Sequence, residues 1–310
     1  MPGKNFLGTY GLTADEIGDL LEAAQHYSAV NNDSALLPLS VLRGKMLALL
    51  FFEPSTRTKL SFERAARNLG GEVVELQTGA SSVVKGESVL DTARTLQAMG
   101  VDALVVRHAA AGVPLFLARS LDIPVINAGD GAHEHPTQTL LDLLTIRQEF
   151  GRLEGLTVLL LGDIRHSRVA RSNLYAMRAC GMRVRLAGPP TLVPEEMTSL
   201  GAELASDLDS SLREADVVYV LRIQHERQQG GMLPSLTEYR SLYGIDERRL
   251  ALLADRAIIM HPGPINIGVE LTAAAYASAR SRVLRQVNNG VAVRMAVLHH
   301  LLGTGQEFDS

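Results

Sequence analysis

This 310-residue sequence has one cysteine, no tryptophan and no excess of positive charge. The single cysteine, Cys180, excludes an intrachain disulfide and any cysteine-rich metal site built within one chain. Because tryptophan is absent and only 5% of the residues are aromatic, Leu, Val, Ile and Ala must fill the hydrophobic cores. The formal net charge of -4 argues against a general nucleic-acid-binding protein, which would carry a basic face. Local arginines can still attract a small anion into a cleft.

Long hydrophobic runs are lacking as well. Met46–Phe52 and Val158–Leu161 are far shorter than a membrane span. The segment Met1–Phe6 has neither the basic start nor the apolar core of a signal peptide. These features predict a cytosolic protein that binds neither a membrane nor nucleic acid.

Short apolar runs alternate with helical patterns along the chain, which is typical of parallel sheets covered on both faces. The predicted strands are Met46–Phe52, Glu72–Leu76, Ala103–Val106, Val125–Asn127, Thr157–Leu161, Arg183–Ala187, Val217–Val220 and Ile258–Met260. The predicted helices between them are Ser55–Leu69, Ser88–Met99, Val113–Ser120, Pro136–Phe150, Ser167–Cys180 and Asp209–Glu214.

A chain of this length favours two domains. Gly151–Gly155 is the predicted boundary, because it follows a long helix and precedes a new strand. We expect two doubly wound α/β domains joined by helices, 1–150 and 151–285. In the C-terminal segment, 286–310, a helix over Val291–Leu302 is expected to pack back on the first domain.

Three hydroxyl groups and an arginine are concentrated in Ser55–Thr58, where the strand Met46–Phe52 gives way to a helix. The first N–H groups of a helix have no partner inside it, and the helix dipole is positive there, so this position favours an anion. Arg57 adds a planar fork suited to phosphate oxygens. Helix capping by Ser55 is the alternative, but it leaves the other three residues unexplained. The segment therefore predicts an anion site.

Two further polar residues follow predicted strands. Arg107 comes directly after Ala103–Val106, and His135 opens the helix that follows Val125–Asn127. Ligands of open α/β sheets bind beyond the carboxyl ends of the strands, so both side chains are expected in one crevice. Considered singly, Arg107 as a surface charge and His135 as a helix cap remain alternatives. His133 and His135 also suggest a metal pair, but no complete ligand set accompanies them, and we expect no metal and no cofactor.

Phe51–Thr58, together with Ser61–Glu63, resembles the carbamoyl-phosphate signature of the aspartate and ornithine carbamoyltransferases. The resemblance continues in family order and with family spacing over Lys85–Glu87, Arg107–His108, His135–Thr139, Gly162–Asp163, Arg222–Gln224 and His261–Pro264. It implies that carbamoyl phosphate is bound by Ser55, Thr56, Arg57, Thr58, Arg107, His135, Gln138 and the carbonyl groups of Pro262, Gly263 and Pro264. Within that set, Thr58, Arg107 and His135 would hold the carbonyl oxygen, and Gln138 would accept from the carbamoyl NH2.

The resemblance also implies the second substrate and an assembly. Arg168, Arg222 and Gln224 would hold the carboxylates of aspartate, for which arginine forks are well suited. Ser81 and Lys85 match residues that cross from a neighbouring subunit in the family, which implies a homotrimer with shared active sites. The residues expected to act in catalysis are Arg57, Thr58, Lys85, Arg107 and His135. Binding of regulatory chains, or of dihydroorotase, is a question that the sequence leaves open.

The ornithine branch of the family is the close alternative. It typically carries a His-Cys-Leu-Pro motif, whereas His261–Pro264 reads His-Pro-Gly-Pro here. Lys85 and the trio Arg168, Arg222 and Gln224 also suit an acidic amino acid, so the aspartate branch is favoured. Two departures from the family pattern lie outside the expected binding residues. Asn266–Gly268 reads Asn-Ile-Gly where Asn-Arg-Gly is common, and Ala109–Ala110 stand where Pro-Gln is common.

The implied mechanism is direct transfer. The neutral amine of aspartate would attack the carbamoyl carbon, phosphate would leave, and a phosphate oxygen would take the amine proton. Domain closure about residues near 151 would expel water. Two other functional classes are alternatives. A nucleotide-binding dehydrogenase is suggested by Leu159–Asp163, but the G-x-G-x-x-G pattern is missing. An inactive scaffold protein would be recognised by an activity assay.

Overall fold

The computed structural model describes residues 4–32, 37–76, 88–223 and 235–303. Their packing divides the chain into two compact units. Unit 1 contains the described residues up to Leu144 and those from Val287 onward, and unit 2 contains those between Thr145 and Gln286. Each unit has its own parallel sheet with helices packed on it, so the predicted α/β class with two parallel sheets is confirmed.

Unit 1 is built on parallel strands in the spatial order β2-β1-β3-β4. The strands are β1 (Met46–Phe51), β2 (Glu72–Leu76), β3 (Ala103–His108) and β4 (Val125–Asp130). The helices are α1 (Ala14–Asn32), α2 (Thr56–Asn68), α3 (Val89–Ala98), α4 (Val113–Ser120) and the first part of α5 (Pro136–Phe150). Apolar side chains of β1, β3, α3 and α4 form a buried cluster that includes Leu50, Leu104, Leu96 and Leu117. Each large side chain buried in this way stabilises the fold by about 1.5–3 kcal/mol.

Unit 2 has the strand order β7-β6-β5-β8-β9, again all parallel. The strands are β5 (Thr157–Leu161), β6 (Arg183–Ala187), β7 (Glu203–Leu204), β8 (Val217–Val220) and β9 (Ile258–Met260). The helices are α6 (Arg168–Ala179), α7 (Leu208–Glu214), α8 (Leu236–Tyr243), α9 (Glu247–Leu250), α10 (Ala273–Ala277) and α11 (Val283–Leu302), the last of which continues into unit 1. β5 and β8 are buried at every position, as near-continuous apolar strands covered on both faces should be.

Most of the predicted elements are confirmed to within one or two residues at each end. The largest differences among the predicted strands are at β3 and β4, which continue through His108 and Asp130. Arg107 therefore lies within β3 and not after it. The helices α1 and α8 to α10 and the short strand β7 were not among the predicted elements.

The start of the C-terminal helix was predicted wrongly. The helix begins at Val283 and not at Val291, because Asn288-Asn289-Gly290 was interpreted as a break. A Cβ atom on Gly290 would come 2.7 Å from Arg294 Nη1 and 3.3 Å from Leu141 Cδ2. The glycine therefore permits close packing against α5 within a continuous helix.

No helix in the described residues is long and apolar enough to cross a membrane. Among the same residues, no group of three or more His, Cys, Asp and Glu side chains is arranged to hold a metal ion.

Candidate active site

In unit 1 the residues predicted to bind carbamoyl phosphate lie at the ends of adjacent strands or directly after them. Ser55–Thr58, which we call the phosphate turn, follow β1; Arg107 is the penultimate residue of β3; and His135 follows β4. β1 and β3 are neighbours in the sheet, as are β3 and β4. Because the carboxyl ends of parallel strands lie along one edge of a sheet, the fold brings these three segments to the same edge.

The phosphate turn begins α2. Ser55 occupies the N-cap position, but its side chain makes no capping hydrogen bond, so the prediction that it caps the helix holds for its position and not for its hydroxyl group. Thr58 is buried, whereas Thr56 and Arg57 are exposed. The first turn of α2 contains no acidic residue. Its backbone N–H groups and hydroxyls therefore form a helix start suited to an anion.

Arg107 lies beside the phosphate turn. It pairs with Phe51 in the register of the sheet, and its carbonyl oxygen accepts a hydrogen bond from Phe52 N–H at 2.9 Å. Its Nε atom lies 3.5 Å from Glu53 Oε2, and its Nη1 atom donates to the Ala128 carbonyl at 3.2 Å. The Arg107 and Glu53 side chains are only 14% and 18% exposed, so salt screens this pair less than a surface pair. Glu53 was not predicted, although it precedes the phosphate turn by two residues.

His135 lies directly before α5 and is 5% exposed. Its carbonyl oxygen accepts a hydrogen bond from Gln138 N–H at 3.0 Å. The turn that carries it is held by the buried carboxylate of Asp130, which accepts from Asn127 Nδ2 at 2.9 Å and from Glu134 N–H at 3.1 Å. The backbone at His135 is thus fixed by hydrogen bonds on both sides.

Gln138 is oriented by a buried carboxylate one helical turn further along α5. Its Nε2 atom donates to Asp142 Oδ1 at 3.0 Å, and the two residues are 9% and 0% exposed. Since Asp142 binds the nitrogen, the amide oxygen is directed away from it and is available as an acceptor in the role predicted for Gln138. Asp142 was missed, and the sequence signal for it is a carboxylate within the largely apolar run Leu140–Ile146, four residues after Gln138.

Arg294 was also missed by the sequence analysis. It is 3% exposed, and its Nη1 atom donates to Ser61 Oγ at 2.9 Å and to the Gly290 carbonyl at 2.8 Å. Its guanidinium carbon lies 5.0 Å from the centroid of the Phe62 ring. Burial lowers the pKa of Arg294 to about 9. Ser61 and Phe62 belong to α2, so α11 supports the helix whose start forms the phosphate turn.

In unit 2 the predicted binding residues also follow adjacent strands. Arg168 is the first residue of α6 after β5, Arg222 follows β8, and the Gly263–Pro264 turn follows β9, and these strands are neighbours in the order β5-β8-β9. Arg168 is 6% exposed and Arg222 is half-buried. Gly263 has φ of 61°, a left-handed conformation that favours glycine, and its N–H donates to His261 Nδ1 at 2.8 Å.

A fully buried carboxylate connects the segments that follow β8 and β9. Glu270 accepts from Ile223 N–H at 2.9 Å and from Asn266 N–H at 2.6 Å and Nδ2 at 2.7 Å. Burial raises the pKa of its carboxyl group. Because Ile223 follows Arg222 directly, Glu270 fixes the backbone beside that arginine to the segment that continues from the Gly263–Pro264 turn. Glu270 was not predicted.

Three predicted site residues, Ser81, Lys85 and Gln224, lie outside the described residues. Of the two departures from the family pattern, Ile267 is 52% exposed and Ala109–Ala110 are exposed.

Comparison with family models gives two matches. The model described as aspartate/ornithine carbamoyltransferase, carbamoyl-P binding domain, matches residues 4–148. The model described as aspartate/ornithine carbamoyltransferase, Asp/Orn binding domain, matches residues 154–301. Together they account for most of the chain.

The chain is also similar to individual proteins. The aspartate carbamoyltransferase catalytic subunit of Halothermothrix orenii is 51% identical over 300 residues, which is 97% of this chain and 96% of that protein. The Gluconobacter oxydans protein of the same name is 52% identical over 299 residues, 96% of this chain and 95% of that protein. The structure of Trypanosoma cruzi aspartate transcarbamoylase in complex with N-(phosphonacetyl)-L-aspartic acid superposes with a TM-score of 0.88 at 34% identity, covering 97% of this chain and 96% of that chain. This chain therefore belongs to the aspartate/ornithine carbamoyltransferase family.

Proposed function

We propose that this chain transfers the carbamoyl group of carbamoyl phosphate to the amine of L-aspartate. The products are N-carbamoyl-L-aspartate and phosphate, an early step of de novo pyrimidine biosynthesis. The observation that carries the proposal is that each unit places predicted substrate-binding residues at the carboxyl ends of three adjacent strands. Relatives about half identical to the chain are named aspartate carbamoyltransferases, which favours aspartate over ornithine as the acceptor.

In unit 1 the phosphate turn and Arg107 bind the phosphate group. Thr58, Arg107 and His135 donate hydrogen bonds to the carbonyl oxygen, where negative charge builds up as the amine attacks. Donors fixed in place before the reaction stabilise such charge effectively, since they need little reorganisation. The buried positions of Thr58 and His135, and the two contacts that hold Arg107, support this role.

The carbamoyl NH2 group is assigned to three acceptors: the amide oxygen of Gln138 and the carbonyl groups of the turn at Gly263 and Pro264. The bond between Gln138 Nε2 and Asp142 supports the assignment, because it directs the amide oxygen away from Asp142. In unit 2, Arg168 and Arg222 bind the aspartate carboxylates, together with Gln224.

The reaction needs no covalent enzyme intermediate. The neutral amine of aspartate attacks the carbamoyl carbon, a C–N bond forms, the C–O bond to phosphate breaks, and the phosphate leaves with the electron pair. An amine proton is transferred to a phosphate oxygen. The enzyme contributes chiefly by holding the two substrates in line, which lowers the entropic cost of the encounter.

The decisive assay follows phosphate release by the purified chain with carbamoyl phosphate and aspartate. Ornithine in place of aspartate tests the other branch of the family, and NAD with aspartate alone tests the dehydrogenase alternative. We expect phosphate release to depend on aspartate and to be at least about tenfold slower with ornithine, because the site binds a second carboxylate that ornithine lacks. Equal rates with both acceptors, or no release with either, would overturn the proposal.

The predicted homotrimer with shared sites belongs to the same proposal. Ser81 and Lys85 would be supplied by a neighbouring subunit. The cytosolic location stays a separate prediction. The shared sites are tested by mixing two inactive variants, Lys85→Ala and Arg57→Ala, and allowing their subunits to exchange. In a ring of head-to-tail interfaces about a quarter of the sites then combine an intact Arg57 with an intact Lys85. Activity that fails to reappear after verified exchange would exclude shared sites.

A further inference from the structure

The N-terminal segment, Asn5–Tyr10, runs beside β4 in unit 1. Phe6 pairs in parallel with Ile126: its N–H donates to the Val125 carbonyl at 3.0 Å, and its carbonyl accepts from Asn127 N–H at 2.9 Å. The Asn127 side chain also donates to the Leu7 carbonyl at 2.9 Å. The segment thus extends the sheet at the edge next to the strand that leads to His135.

The segment ends on the carboxylate of Glu134, the residue directly before His135. Glu134 Oε2 accepts from Thr9 N–H at 2.6 Å and from Thr9 Oγ1 at 2.8 Å, and Oε1 accepts from Tyr10 N–H at 3.3 Å. Glu134 and Thr9 are each 1% exposed. Hydrogen bonds to an ionised acceptor are the stronger kind, and a buried donor left without its partner is costly.

Gly8 shows how closely the segment approaches this carboxylate. A Cβ atom on Gly8 would overlap the carboxylate group of Glu134, and the three nearest atoms to that Cβ all belong to Glu134. An alanine at position 8 would therefore displace the Glu134 side chain before it disturbed any other group.

The backbone of Glu134 is held at the same time. Its N–H donates to Asp130 Oδ1 at 3.1 Å, and its carbonyl accepts from Asp130 N–H at 3.1 Å. A residue fixed through both its backbone and its carboxylate leaves the next residue little freedom. His135 is that residue, and it is itself 5% exposed.

We infer that Glu134 is a positioning residue for His135, which it holds in place by tying the turn between β4 and α5 to the N-terminal segment. The inference rests on the proposed function, in which His135 donates to the carbamoyl oxygen. It predicts that residues 125 positions apart, Thr9 and Glu134, affect the same kinetic step as His135.

The test uses the full-length enzyme and measures kcat, KM for both substrates and the melting temperature. The variants are Glu134→Ala, Glu134→Gln, His135→Ala, the double variant Glu134→Ala/His135→Ala, and Gly8→Ala. Gly18→Ala is the matched control, since a Cβ at that position in α1 would meet no atom within 4 Å other than its chain neighbours and the nearby backbone of its own helix.

We expect Glu134→Ala to lower kcat/KM for carbamoyl phosphate by about ten- to a hundredfold, as for a misplaced reactive group. Glu134→Gln, which keeps one acceptor oxygen, should lose less. Gly8→Ala should reproduce the loss, and Gly18→Ala should not. In the His135→Ala background, Glu134→Ala should cause little further loss, because the group that it positions is gone. A merely structural role would multiply the two losses.

Multiplicative losses in the double variant would overturn the inference. So would wild-type kinetics in Glu134→Ala or in His135→Ala, measured below their melting temperatures. If Glu134→Ala does not fold, Glu134→Gln and Gly8→Ala in the same His135→Ala cycle give the answer. A wild type without carbamoyl transfer would overturn the proposed function and this inference together, whereas an active wild type with multiplicative losses in the double variant would overturn the inference alone.

Discussion

The candidate site residues fall into two halves, one in each unit, and the two halves are supported from different distances along the chain. In unit 1, Glu134 binds the N–H of Thr9, 125 positions away, and Arg294 binds Ser61, 233 positions away. The groups proposed to bind carbamoyl phosphate therefore depend on segments before residue 11 and after residue 289.

The half in unit 2 is supported from nearby. Glu270 binds Ile223 N–H, 47 positions away, and Gln286 Oε1 accepts from His261 N–H, 25 positions away. The first contact joins the segments that follow the neighbouring strands β8 and β9, and the second joins the end of β9 to α11. The difference teaches that changes near either end of the described chain should alter the kinetics of carbamoyl phosphate, whereas changes at Arg168 and Arg222 in unit 2 should alter those of aspartate.

The largest expected effect concerns the phosphate turn. Replacing Arg57 with Ala should lower the rate by at least about a hundredfold, as for loss of a donor to developing negative charge. The matched control is Arg67→Ala on the same helix, since Arg67 is 67% exposed and pairs with Glu63. Steady-state phosphate release measures both. Near-normal turnover in Arg57→Ala would contradict the assignment of the phosphate turn.

Arg222→Ala tests the half of the candidate site residues that lies in unit 2. Loss of a charged donor to a substrate carboxylate should raise KM for aspartate by about ten- to a hundredfold, which corresponds to about 1.5–3 kcal/mol. The control is Arg165→Ala, an exposed arginine whose Nε donates to the Thr191 carbonyl. KM for carbamoyl phosphate should change much less. A larger change for carbamoyl phosphate than for aspartate would break the comparison between the halves.

Arg294→Met tests whether α11, through its contact with α2, supports the phosphate turn. The substitution keeps an apolar stem but removes the hydrogen bonds to Ser61 and Gly290, which should cost about 1–3 kcal/mol of unfolding free energy. We expect KM for carbamoyl phosphate to rise more than KM for aspartate, by several-fold. Denaturant unfolding and steady-state kinetics measure the two effects, and an equal change in both KM values would argue against a specific link to α2.

The smallest expected effect lies outside both halves, at Glu149. Hydrogen bonding from Arg282, and then the charges of Arg282 and Arg285, lower the pKa of Glu149 below its ordinary value of 4.5. A lowered pKa gives stability that is present above 4.5 and is lost as pH falls through the folded-state pKa. Glu149→Gln should therefore lower the free energy of unfolding at pH 7 by less than about 1 kcal/mol, since Arg285 is 48% exposed. Thermal unfolding should show this as a melting temperature slightly below that of the wild type.

That difference in melting temperature should close in acid, below the pKa of the folded state. Neither KM should change at pH 7. An undiminished difference in acid would show that the charge of Glu149 is not its source.

The fold was largely predictable from the sequence, because strand and helix patterns are local. β5, which is a nearly continuous apolar run, and α5, whose middle is largely apolar, have their predicted bounds. The start of α11 was wrong because Gly290 carries a local signal for a break, while its environment, against Leu141, calls for a small residue inside a helix. Local composition does not reveal which of these two uses of glycine applies.

The sequence by itself determined the class of the fold, the phosphate turn and the candidate arginines, since these are contiguous motifs placed directly after strands. The tertiary structure alone decided which residues support them. Glu53, Glu134, Asp142, Glu270 and Arg294 are ordinary charged residues in the sequence, and four of the five become nine-tenths or more buried only when the chain folds. The physical reason is that a buried charge must find its hydrogen-bond partners in space, and for Glu134 and Arg294 those partners are more than a hundred residues away along the chain.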